Sequence, residues 1–559
     1  PDDREMYSNT GIAHLVAISG LHITLLALVA GKLAARAWRC SSRLCLAAPA
    51  PLVGAGVGLL LGIFYGLVAG WGIPAQRTVF MLAALFAGQL RGGLMSSWDS
   101  FFLALFLAVM LDNWSVLDAG FLLSFGAVGI LIFAHQGHLD FIRRALPVIR
   151  KAVKAQYAVT IGLVLPTAIL FNQHSVVSPL VNALSIPWMS FVSTPLALLG
   201  GLLQQDWAAR LSADSLALQR QWLLEFDSFD WAVLPLHSQP YWVYAMAGLG
   251  CLVLLLPAGL TNRGIGLLLL GFLAWPPARP ESGGFWMTVL DVGQGTAIAI
   301  QTSKHLLIYD AGPAFNTRSD SSRRVILPWL RQQGHDRPDV FMLSHDDADH
   351  SGGAPMLLSK APPTLFAASI GAEHRLNQLA RKQNTGTANC HTLPAWTWDG
   401  VLFQPMGLDI SPEGNRTLLL KNNQSCVLKI SNRHHSLLLT GDIEAASEMQ
   451  LLAKHGAVAL KARVLLAPHH GSKTSSTLAF LNAVGPEHVL IQAGWQNRFG
   501  HPHPQVTARY ESLGAQWSST AQHGALRWEF PGGPDSAKVS NALDHRRRYW
   551  HLHEKGAQP

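Results

Sequence analysis

The chain has 559 residues, of which 49% are hydrophobic and only 14% are charged, and its formal net charge is +8. This length leaves room for two or three domains, and the modest positive charge permits contact with nucleic acid or anionic lipid without requiring either. Residues 1–283 carry 16 Lys and Arg and 13 Asp and Glu, and residues 284–559 carry the other 26 and 21 of the total 42 and 34. This imbalance excludes a single soluble domain and predicts an apolar half followed by a soluble half.

Long apolar runs in the first half predict membrane-spanning helices, because about 20 apolar residues cross a bilayer. We predict a multi-pass α-helical membrane domain with spans near 12–35, 46–69, 74–91, 100–112, 117–135, 155–172, 176–203, 241–258 and 264–276. Pro179, Pro187 and Pro195 interrupt the seventh run, so it either faces other helices or forms a discontinuous, re-entrant element. The chain starts with Pro1 rather than Met, and we expect further sequence upstream of it.

Two basic loops, at 36–43 and 143–154, are predicted to be cytoplasmic by the positive-inside rule. Four full passes after residue 154 would place the C-terminal half in the cytoplasm, whereas a seventh run that does not cross would place it outside. The sequence leaves both alternatives open. Residues 204–240 are amphipathic and suit an interfacial segment.

Several polar residues lie inside the apolar runs. His14, Ser19 and His22 fall in the first predicted span, and helical periodicity puts residues 14 and 22 on one face. Ionisable groups at membrane depth are costly unless they line a bundle interior or a wet path, so these residues are candidates for a channel lining. The alternative is a pair of hydrogen-bonded packing histidines. Arg77 and Asp118 are further channel candidates.

The cysteines follow no framework or metal-site pattern. Five of them are scattered along the chain, at 40, 45, 251, 390 and 426, and no Cys-x-x-Cys pair occurs. An odd and scattered set disfavours both a disulfide framework and a thiolate zinc site. We therefore predict no disulfide framework.

The clearest boundary is the Pro- and Gly-rich segment 277–284, which predicts a linker. It separates a membrane domain at 1–276 from an α/β domain at 285–532. Residues 533–559 are predicted to be a basic C-terminal tail, which is either disordered or in contact with nucleic acid.

A dense group of potential metal ligands follows the apolar strand 340–343. His345, Asp347, Asp349 and His350 lie within six residues, a cluster that a packed core would not tolerate without a multivalent cation. The alternative is a solvated acidic turn. Loops carried by a rigid scaffold are where ligands are usually presented, so the pattern predicts a metal site.

Further polar strand ends occur downstream in the chain. Asp442 ends the apolar strand 437–441, and His469 and His470 follow the apolar strand 464–467. A later loop contains Asn497 and His501. Each element is common alone, but together they form the expected layout of a binuclear hydrolase site.

These motifs resemble those of the ComEC family of DNA-internalisation competence proteins. Segments 13–23 and 118–125 are similar to two signature segments of its membrane half, and 285–530 resembles a metallo-β-lactamase-fold domain with an αββα sandwich. Strands 289–297 and 306–312 are similar to the opening hairpin of that domain. The first motif usually reads His-x-His-x-Asp-His, but Asp347 replaces its second His. The stretch around Ser425 stands where a Gly-His motif is usual. Members usually carry a small β-barrel before this point, and nothing here corresponds to it.

The resemblance implies an inner-membrane channel for the uptake of single-stranded DNA during natural transformation, with a metal-dependent nuclease domain that degrades the other strand. It implies a catalytic and metal-binding set of His345, Asp347, Asp349, His350, Asp442, His469 and His470. Ser425, Asn497 and His501 are further site candidates.

The expected cofactor is one or two divalent cations. Because Asp347 offers oxygen where the superfamily uses nitrogen, manganese is favoured, with magnesium or zinc as alternatives. The expected partners are single-stranded DNA and the lipid bilayer; contact with other DNA-uptake proteins and the oligomeric state are left open. One alternative function is a membrane-tethered metallohydrolase of small phosphodiesters or esters, without transport. The other is a channel whose second domain is metal-free and only binds DNA.

Overall fold

The computed structural model describes residues 3–16, 20–92, 95–135, 147–257, 261–409 and 421–543. The chain divides into two compact units, Pro1–Pro276 and Pro277–Pro559. Each unit has hydrophobic clusters of its own. The boundary therefore falls at the start of the Pro- and Gly-rich segment.

Helices dominate the first unit. Three are long and apolar enough to cross a membrane: Ala50–Val68, Ile149–Phe171 and Ser178–Gly201. Four shorter apolar helices are Ser97–Leu111, Ala119–Phe133, Tyr241–Leu255 and Arg263–Ala274. The other described helices include Asp3–Asn9, Ala13–Val16, Gly20–Trp38, Ser42–Ala47, Ile73–Leu90 and Asp206–Asp227. Most of the nine predicted spans thus contain a helix, but only three described helices combine the length and apolar character needed to cross.

Glycines allow two of these helices to approach closely. A Cβ atom on Gly31, in the helix Gly20–Trp38, would lie 2.6 Å from the carbonyl oxygen of Gly54 in the helix Ala50–Val68. Gly58, Gly62 and Gly66 continue the same buried face. Contacts between small residues are how helices associate in lipid, where apolar side chains gain little by leaving their surroundings.

The proline-interrupted run forms one helical path with a widened turn. The helix Ser178–Trp188 leads through a π-helical turn, Met189–Ser193, into the helix Thr194–Leu202. Pro187 and Pro195 flank the turn, and each lacks the N–H that an α-helical ladder requires. The Ser212 hydroxyl donates to the Ser193 carbonyl oxygen at 3.0 Å. The run therefore contacts a neighbouring helix, and whether it crosses the membrane stays a prediction.

The strands are numbered in chain order, with β1 (Gln173–Ser175) and β2 (Val233–Pro235) in the first unit. Those of the second unit are β3 (Phe285–Val289), β4 (Ile298–Gln301), β5 (Leu306–Tyr309), β6 (Ala314–Asn316), β7 (Ser319–Asp320), β8 (Val340–Leu343), β9 (Leu365–Ala368), β10 (Gly386–Asn389), β11 (Trp396–Trp398), β12 (Val401–Pro405), β13 (Leu428–Ser431), β14 (Ser436–Leu439), β15 (Val464–Leu466), β16 (His488–Ile491), β17 (Gln516–Ser519), β18 (Leu526–Phe530) and β19 (Lys538–Asn541). One sheet has the order β10-β9-β8-β5-β4-β3-β18-β19, and the other has the order β11-β12-β13-β14-β15-β16-β17.

Three hydrophobic clusters arrange these sheets and their helices in four layers. The first cluster joins the inner faces of the two sheets, with Met287 and Leu437 among its members. The second lies between the first sheet and helices that include Leu327–Gln332, Ala354–Lys360 and Arg375–Lys382. The third lies between the second sheet and Ala445–Leu460, Leu478–Val484 and Pro504–Ser512. This is the αββα sandwich that the resemblance implies.

The predicted C-terminal tail begins too early. Lys538–Asn541, assigned to the tail at 533–559, forms the edge strand β19 and pairs antiparallel with β18. Without β19, the edge of β18 would present unpaired N–H and C=O groups. Pairing with β19 satisfies these groups through the backbone, although the side chains of β19 are only weakly apolar. The basic residues at 546–548 lie outside the described residues.

A disulfide joins Cys390 and Cys426, so the prediction drawn from the cysteines is wrong. Cys390 follows β10 and Cys426 precedes β13, and the two residues meet in the core between the sheets, 36 positions apart in the chain. The odd count was misleading because Cys40, Cys45 and Cys251, all free, belong to the first unit.

Candidate metal centre

Strand ends bring the polar residues of the second unit to one edge of the sandwich. β5 and β8 run parallel in the first sheet, and β14, β15 and β16 run parallel in the second. The carboxyl ends of parallel strands open at the same edge, which is where such sheets bind ligands. The residues that follow these ends are Asp310, His345 to His350, Asp442, His470 and Gln492.

Two groups of side chains could each hold a cation. His345, His350 and Asp442 are all buried, and their ligand atoms lie within 4.8 Å of one another. The second group is Asp349, His350 and His470, under the same distance limit. Asp442 reaches both groups, since its Oδ1 lies 3.2 Å from His350 Nε2 and its Oδ2 lies 3.5 Å from His470 Nε2. His350 belongs to both groups but presents one nitrogen, so it serves one position at a time, whereas the two oxygens of Asp442 can bridge two cations as in binuclear hydrolases.

A buried carboxylate, Asp310, orients His350. Its Oδ2 lies 2.7 Å from His350 Nδ1 and accepts the Ser344 hydroxyl at 2.7 Å, while its Oδ1 accepts the Ser344 N–H at 2.6 Å. A carboxylate can only accept from an imidazole, so His350 carries its proton on Nδ1 and presents Nε2 to the site. Sequence reasoning missed this residue. Its only signal is a carboxylate directly after the buried strand β5.

The tautomers of the other two histidines follow in the same way. His470 Nδ1 lies 2.7 Å from the Gln492 carbonyl oxygen, so Nδ1 donates and Nε2 faces the site. The Ser344 hydroxyl donates to Asp310 and the Ser425 hydroxyl donates to the Asn422 carbonyl oxygen. Both serine oxygens therefore accept from His345 Nδ1, at 3.0 and 3.3 Å.

The donor set fits a divalent cation. His345 Nε2 is buried and has no hydrogen-bond partner among the described residues. His350 Nε2 and His470 Nε2 lie 3.2 Å apart, with both Nδ1 atoms already donating elsewhere. Lone pairs that face each other in a buried site repel unless a cation lies between them. Three imidazole nitrogens with two carboxylates are ligands that divalent metals accept.

Opposite charges shift the pKa values of these groups. Burial opposes the charge on His350, but Asp442 and Asp310 outweigh it and raise its pKa well above the ordinary value. Burial likewise opposes the charge on Asp442, yet His350 and His470 hold its pKa well below the usual range. The pKa of Asp349 falls to about 2, against the effect of burial, because of its hydrogen bond with His470. A proton on His350 balances the charge of these carboxylates as a cation would. Metal binding must therefore displace that proton.

Asp347 and His469 lie at the rim of the site, outside the two groups. Asp347 is 40% exposed, and its Oδ2 lies 3.7 Å from His345 Nε2. His469 is 20% exposed, with Nε2 3.8 Å from Asp442 Oδ2 and Nδ1 3.4 Å from Glu444 Oε1. Lys421, which sequence reasoning missed, places its Nζ 3.7 Å from Asp347 Oδ1. The predicted catalytic set is thus divided between a buried centre and an exposed rim.

The histidine pair lies in a turn of left-handed backbone. The φ angles of His469 and His470 are +50° and +55°, a region that disfavours residues with a Cβ atom. The Ser475 hydroxyl donates to the Pro468 carbonyl oxygen at 2.7 Å and helps to hold the turn. As a result, His470 is buried among the ligands while His469 stands at the rim.

The other predicted site residues act on these ligands or lie beside them. The Ser425 hydroxyl accepts the Asp442 N–H at 3.1 Å, in addition to its contact with His345. Asn497 donates to the His501 carbonyl oxygen at 2.6 Å and accepts the His501 N–H at 3.0 Å. The His501 ring centroid lies 5.8 Å from that of His469.

The channel candidates are distributed differently. His14 is exposed in the helix Ala13–Val16, whereas His22 is buried in the helix Gly20–Trp38, with Nε2 3.3 Å from the Thr194 hydroxyl. Residues 17–19, Ser19 among them, lie outside the described residues. His14 and His22 lie in two different helices, so the described residues do not support the predicted shared face. Arg77 is buried and donates to the Gly120 carbonyl oxygen, and Asp118 caps the same helix by accepting the Phe121 N–H.

Family models match both parts of the chain. Residues 1–261 match the family model described as competence protein, and residues 290–495 match that of the metallo-beta-lactamase superfamily. Among solved structures, the metallo-beta-lactamase fold protein YhfI of Bacillus subtilis is 12% identical, with a TM-score of 0.29, over 44% of this chain and 99% of that one.

Relatives extend over nearly the whole chain. Competence protein ComA of Neisseria gonorrhoeae is 36% identical, over 93% of this chain and 70% of that protein. Uncharacterized protein YcaI of Escherichia coli is 30% identical, over 94% and 68%. ComE operon protein 3 of Bacillus subtilis is 24% identical, over 94% and 68%. The resemblance found in the sequence is thus confirmed, and the chain belongs to the ComEC-type competence protein family, with a metallo-β-lactamase-fold domain whose fold implies divalent metal binding.

Proposed function

We propose that this protein is a multi-pass inner-membrane channel that takes up single-stranded DNA during natural transformation, and that its second unit is a metal-dependent nuclease that degrades the other strand. The observation that carries the proposal is the pair of adjacent ligand groups in an αββα domain that follows an apolar helical unit. A relative over most of the chain bears the name competence protein.

The second unit has the chemistry that phosphodiester hydrolysis needs. Divalent cations held by the two ligand groups would supply Lewis acidity and an acidified water. Asp310 and the Gln492 carbonyl group hold the imidazoles of His350 and His470 in place before substrate arrives. Lys421 brings a positive charge to the rim, where a phosphate would bind. His469, beside Glu444, is placed to hold a proton for the leaving oxygen.

Manganese is the cation that we propose. The ligand groups contain carboxylate oxygens of Asp349 and Asp442, and Asp347 adds a third carboxylate at the rim. Oxygen ligands favour manganese or magnesium over zinc. The three imidazoles argue against magnesium, which prefers oxygen and water ligands. Manganese accepts both kinds of donor.

The first unit supports transport rather than simple anchoring. Three described helices are able to cross a membrane by length and composition, and four shorter apolar helices accompany them. One spanning helix is enough to tether an enzyme. Within this unit, His22, Arg77 and Asp118 are the described polar candidates for a path through which a polyanion would pass.

The disulfide favours placing the second unit on the outer side of the membrane. Disulfides persist in oxidising compartments and are rare in the cytoplasm. Cys390 and Cys426 are bonded within the core of this unit. Of the two topologies that the basic loops left open, we therefore propose the one with the C-terminal domain outside, where incoming DNA arrives.

The test uses the full-length protein in detergent, supplied with manganese. It should cleave single-stranded oligonucleotides with little sequence preference and with a steep loss of activity as salt rises, because phosphate contacts dominate binding. The double variant Asp349→Ala with Asp442→Ala should lose both bound metal and cleavage. Glu487→Ala with Glu511→Ala, which removes two exposed carboxylates of the same unit, should keep both and serves as the matched control.

Each other outcome points to a named alternative. Metal retained in full by the Asp349 and Asp442 double variant would refute the centre described here. Cleavage of bis(4-nitrophenyl) phosphate with intact oligonucleotides would favour a membrane-tethered hydrolase. Oligonucleotide binding without bound metal would favour a channel whose second unit only binds DNA.

A further inference from the structure

We infer that the loop 495–501 is a stacking site for an unpaired nucleobase beside the metal centre, with Phe499 as the residue that contacts the base. The inference rests on the proposed nuclease function and deepens it, because it names a base-bearing single strand as the form of nucleic acid that the centre receives. Residues 495–501 form this stacking loop.

The stacking loop exposes large aromatic side chains that do not serve the core. Phe499 is 53% exposed and Trp495 is 58% exposed. Neither belongs to a hydrophobic cluster of the second unit. Exposed aromatic rings beside a polar, ligand-rich site supply a surface on which a base can stack.

A line of rings connects Phe499 with the metal ligands. The Phe499 and His501 rings are stacked, with centroids 5.8 Å apart and planes 22° apart. The His501 and His470 rings are stacked at 6.3 Å, again with planes 22° apart. Because His470 belongs to one ligand group, the exposed ring lies two ring-to-ring steps from the centre. A base on Phe499 would belong to a nucleotide at or near the scissile phosphate.

The loop is held in shape by one side chain. Asn497 donates from Nδ2 to the carbonyl oxygens of Gly494 and His501, at 3.0 and 2.6 Å, and its Oδ1 accepts the His501 N–H at 3.0 Å. These bonds close the loop on itself and give the predicted residue Asn497 a positioning role. A platform fixed before binding loses less entropy when the base arrives.

The charges around the loop suit a polyanion. The Arg498 guanidinium carbon lies over the Phe499 ring, 4.8 Å from its centre, so a cation is part of the proposed base contact. Lys421 lies at the rim of the metal centre. An aromatic ring with an adjacent arginine, on the route to a cationic centre, is the usual construction of a single-strand binding surface.

The site selects for strands whose bases are free. In a duplex each base is paired and stacked on its neighbours, so Phe499 cannot reach a base face without unstacking it. In a single strand the face is open, and base-to-aromatic stacking tolerates any sequence. Removing the ring should therefore weaken binding of base-bearing strands by roughly five- to hundredfold.

The test compares an oligonucleotide with an abasic strand of the same length, which keeps every phosphate but lacks the bases. Binding of each to the full-length protein with manganese is measured by fluorescence anisotropy. We expect the native protein to prefer the base-bearing strand, Phe499→Ala to lose that preference with metal content unchanged, and Phe499→Trp to keep it. Phe315→Ala is the matched control, since Phe315 is 46% exposed and pairs with Arg324 at the same 4.8 Å.

The outcomes separate this inference from the proposed function. Equal binding of both strands by the native protein, or a preference that survives Phe499→Ala, overturns the stacking site. An equal loss in Phe315→Ala overturns it too, because the effect would then not be specific to the loop. If base-dependent binding holds but no strand is cleaved, the nuclease proposal fails and the stacking site stands. If both strands are cleaved and bound alike, the nuclease stands and the stacking site fails.

Discussion

Asp310→Asn should weaken metal binding without removing any of the ligand side chains. The asparagine has nearly the same shape as the aspartate, and its oxygen can still accept the Ser344 N–H. Its NH₂ group, however, would face His350 Nδ1, where the carboxylate now accepts a proton. His350 would then move its proton to Nε2, the atom that faces His470 at 3.2 Å. The ligand nitrogen would be blocked.

The size of the effect follows from what is lost. Asp310 accepts hydrogen bonds from Ser344 and His350, and only the bond to His350 involves a metal ligand. Loss of such an outer partner typically weakens metal affinity by about 10- to 100-fold. That corresponds to about 1.4–2.8 kcal/mol of binding free energy.

The assay is a competition titration of manganese against a coloured chelator, using the full-length protein in detergent. Asp339→Asn is the matched control, because its carboxylate accepts the Leu306 N–H at the other end of β5 and touches no ligand histidine. We expect Asp339→Asn to bind metal as the native protein does. An affinity of Asp310→Asn within about twofold of native, well below the expected loss, would falsify the positioning role.

Further predictions concern the pH, the metal, the disulfide and the channel. Burial opposes charge on His350 but the adjacent carboxylates raise its pKa, so a proton competes with the cation and metal affinity should rise between about pH 6 and about pH 8 in the same titration; a flat profile contradicts this. A metal-stripped protein should regain more cleavage with manganese than with zinc, and the reverse order would refute the oxygen-ligand argument. Cys390→Ser with Cys426→Ser should lower the free energy of unfolding by up to about 4 kcal/mol, given the length of the closed loop, and an unchanged denaturant midpoint would refute this. His22→Glu should block DNA uptake in a competent host while membrane insertion and cleavage persist, since a carboxylate opposes a polyanion; normal uptake would assign His22 to packing.

Residue pattern was sufficient to predict which strand ends bring polar side chains together. The cluster from His345 to His350 follows the fully buried strand β8, and Asp442 comes shortly after β14. Parallel strands then bring such ends together without further information. The αββα fold was predicted from the family resemblance rather than from periodicity, and its four layers are observed.

The partners that orient the ligands were not predictable in this way. Asp310 lies 40 positions from His350 and Gln492 lies 22 from His470. Gln492 acts through its backbone carbonyl, which any residue type would offer. The disulfide was missed for the same reason, since Cys390 and Cys426 meet only when the two sheets pack. Distance in the chain hides contacts that depend on tertiary structure.

The left-handed turn at His469 and His470 has a consequence for how the domain gains and loses its cation. Left-handed backbone costs about 1–2 kcal/mol for each residue with a Cβ atom, and two such residues follow one another here. Bonds from His470 to a cation would offset that cost. When the cation leaves, the strained backbone of the turn would lose this compensation. We expect the turn to relax first on chelation while β15 behind it stays in place, which gives the ion a route in and out that leaves the sheets intact.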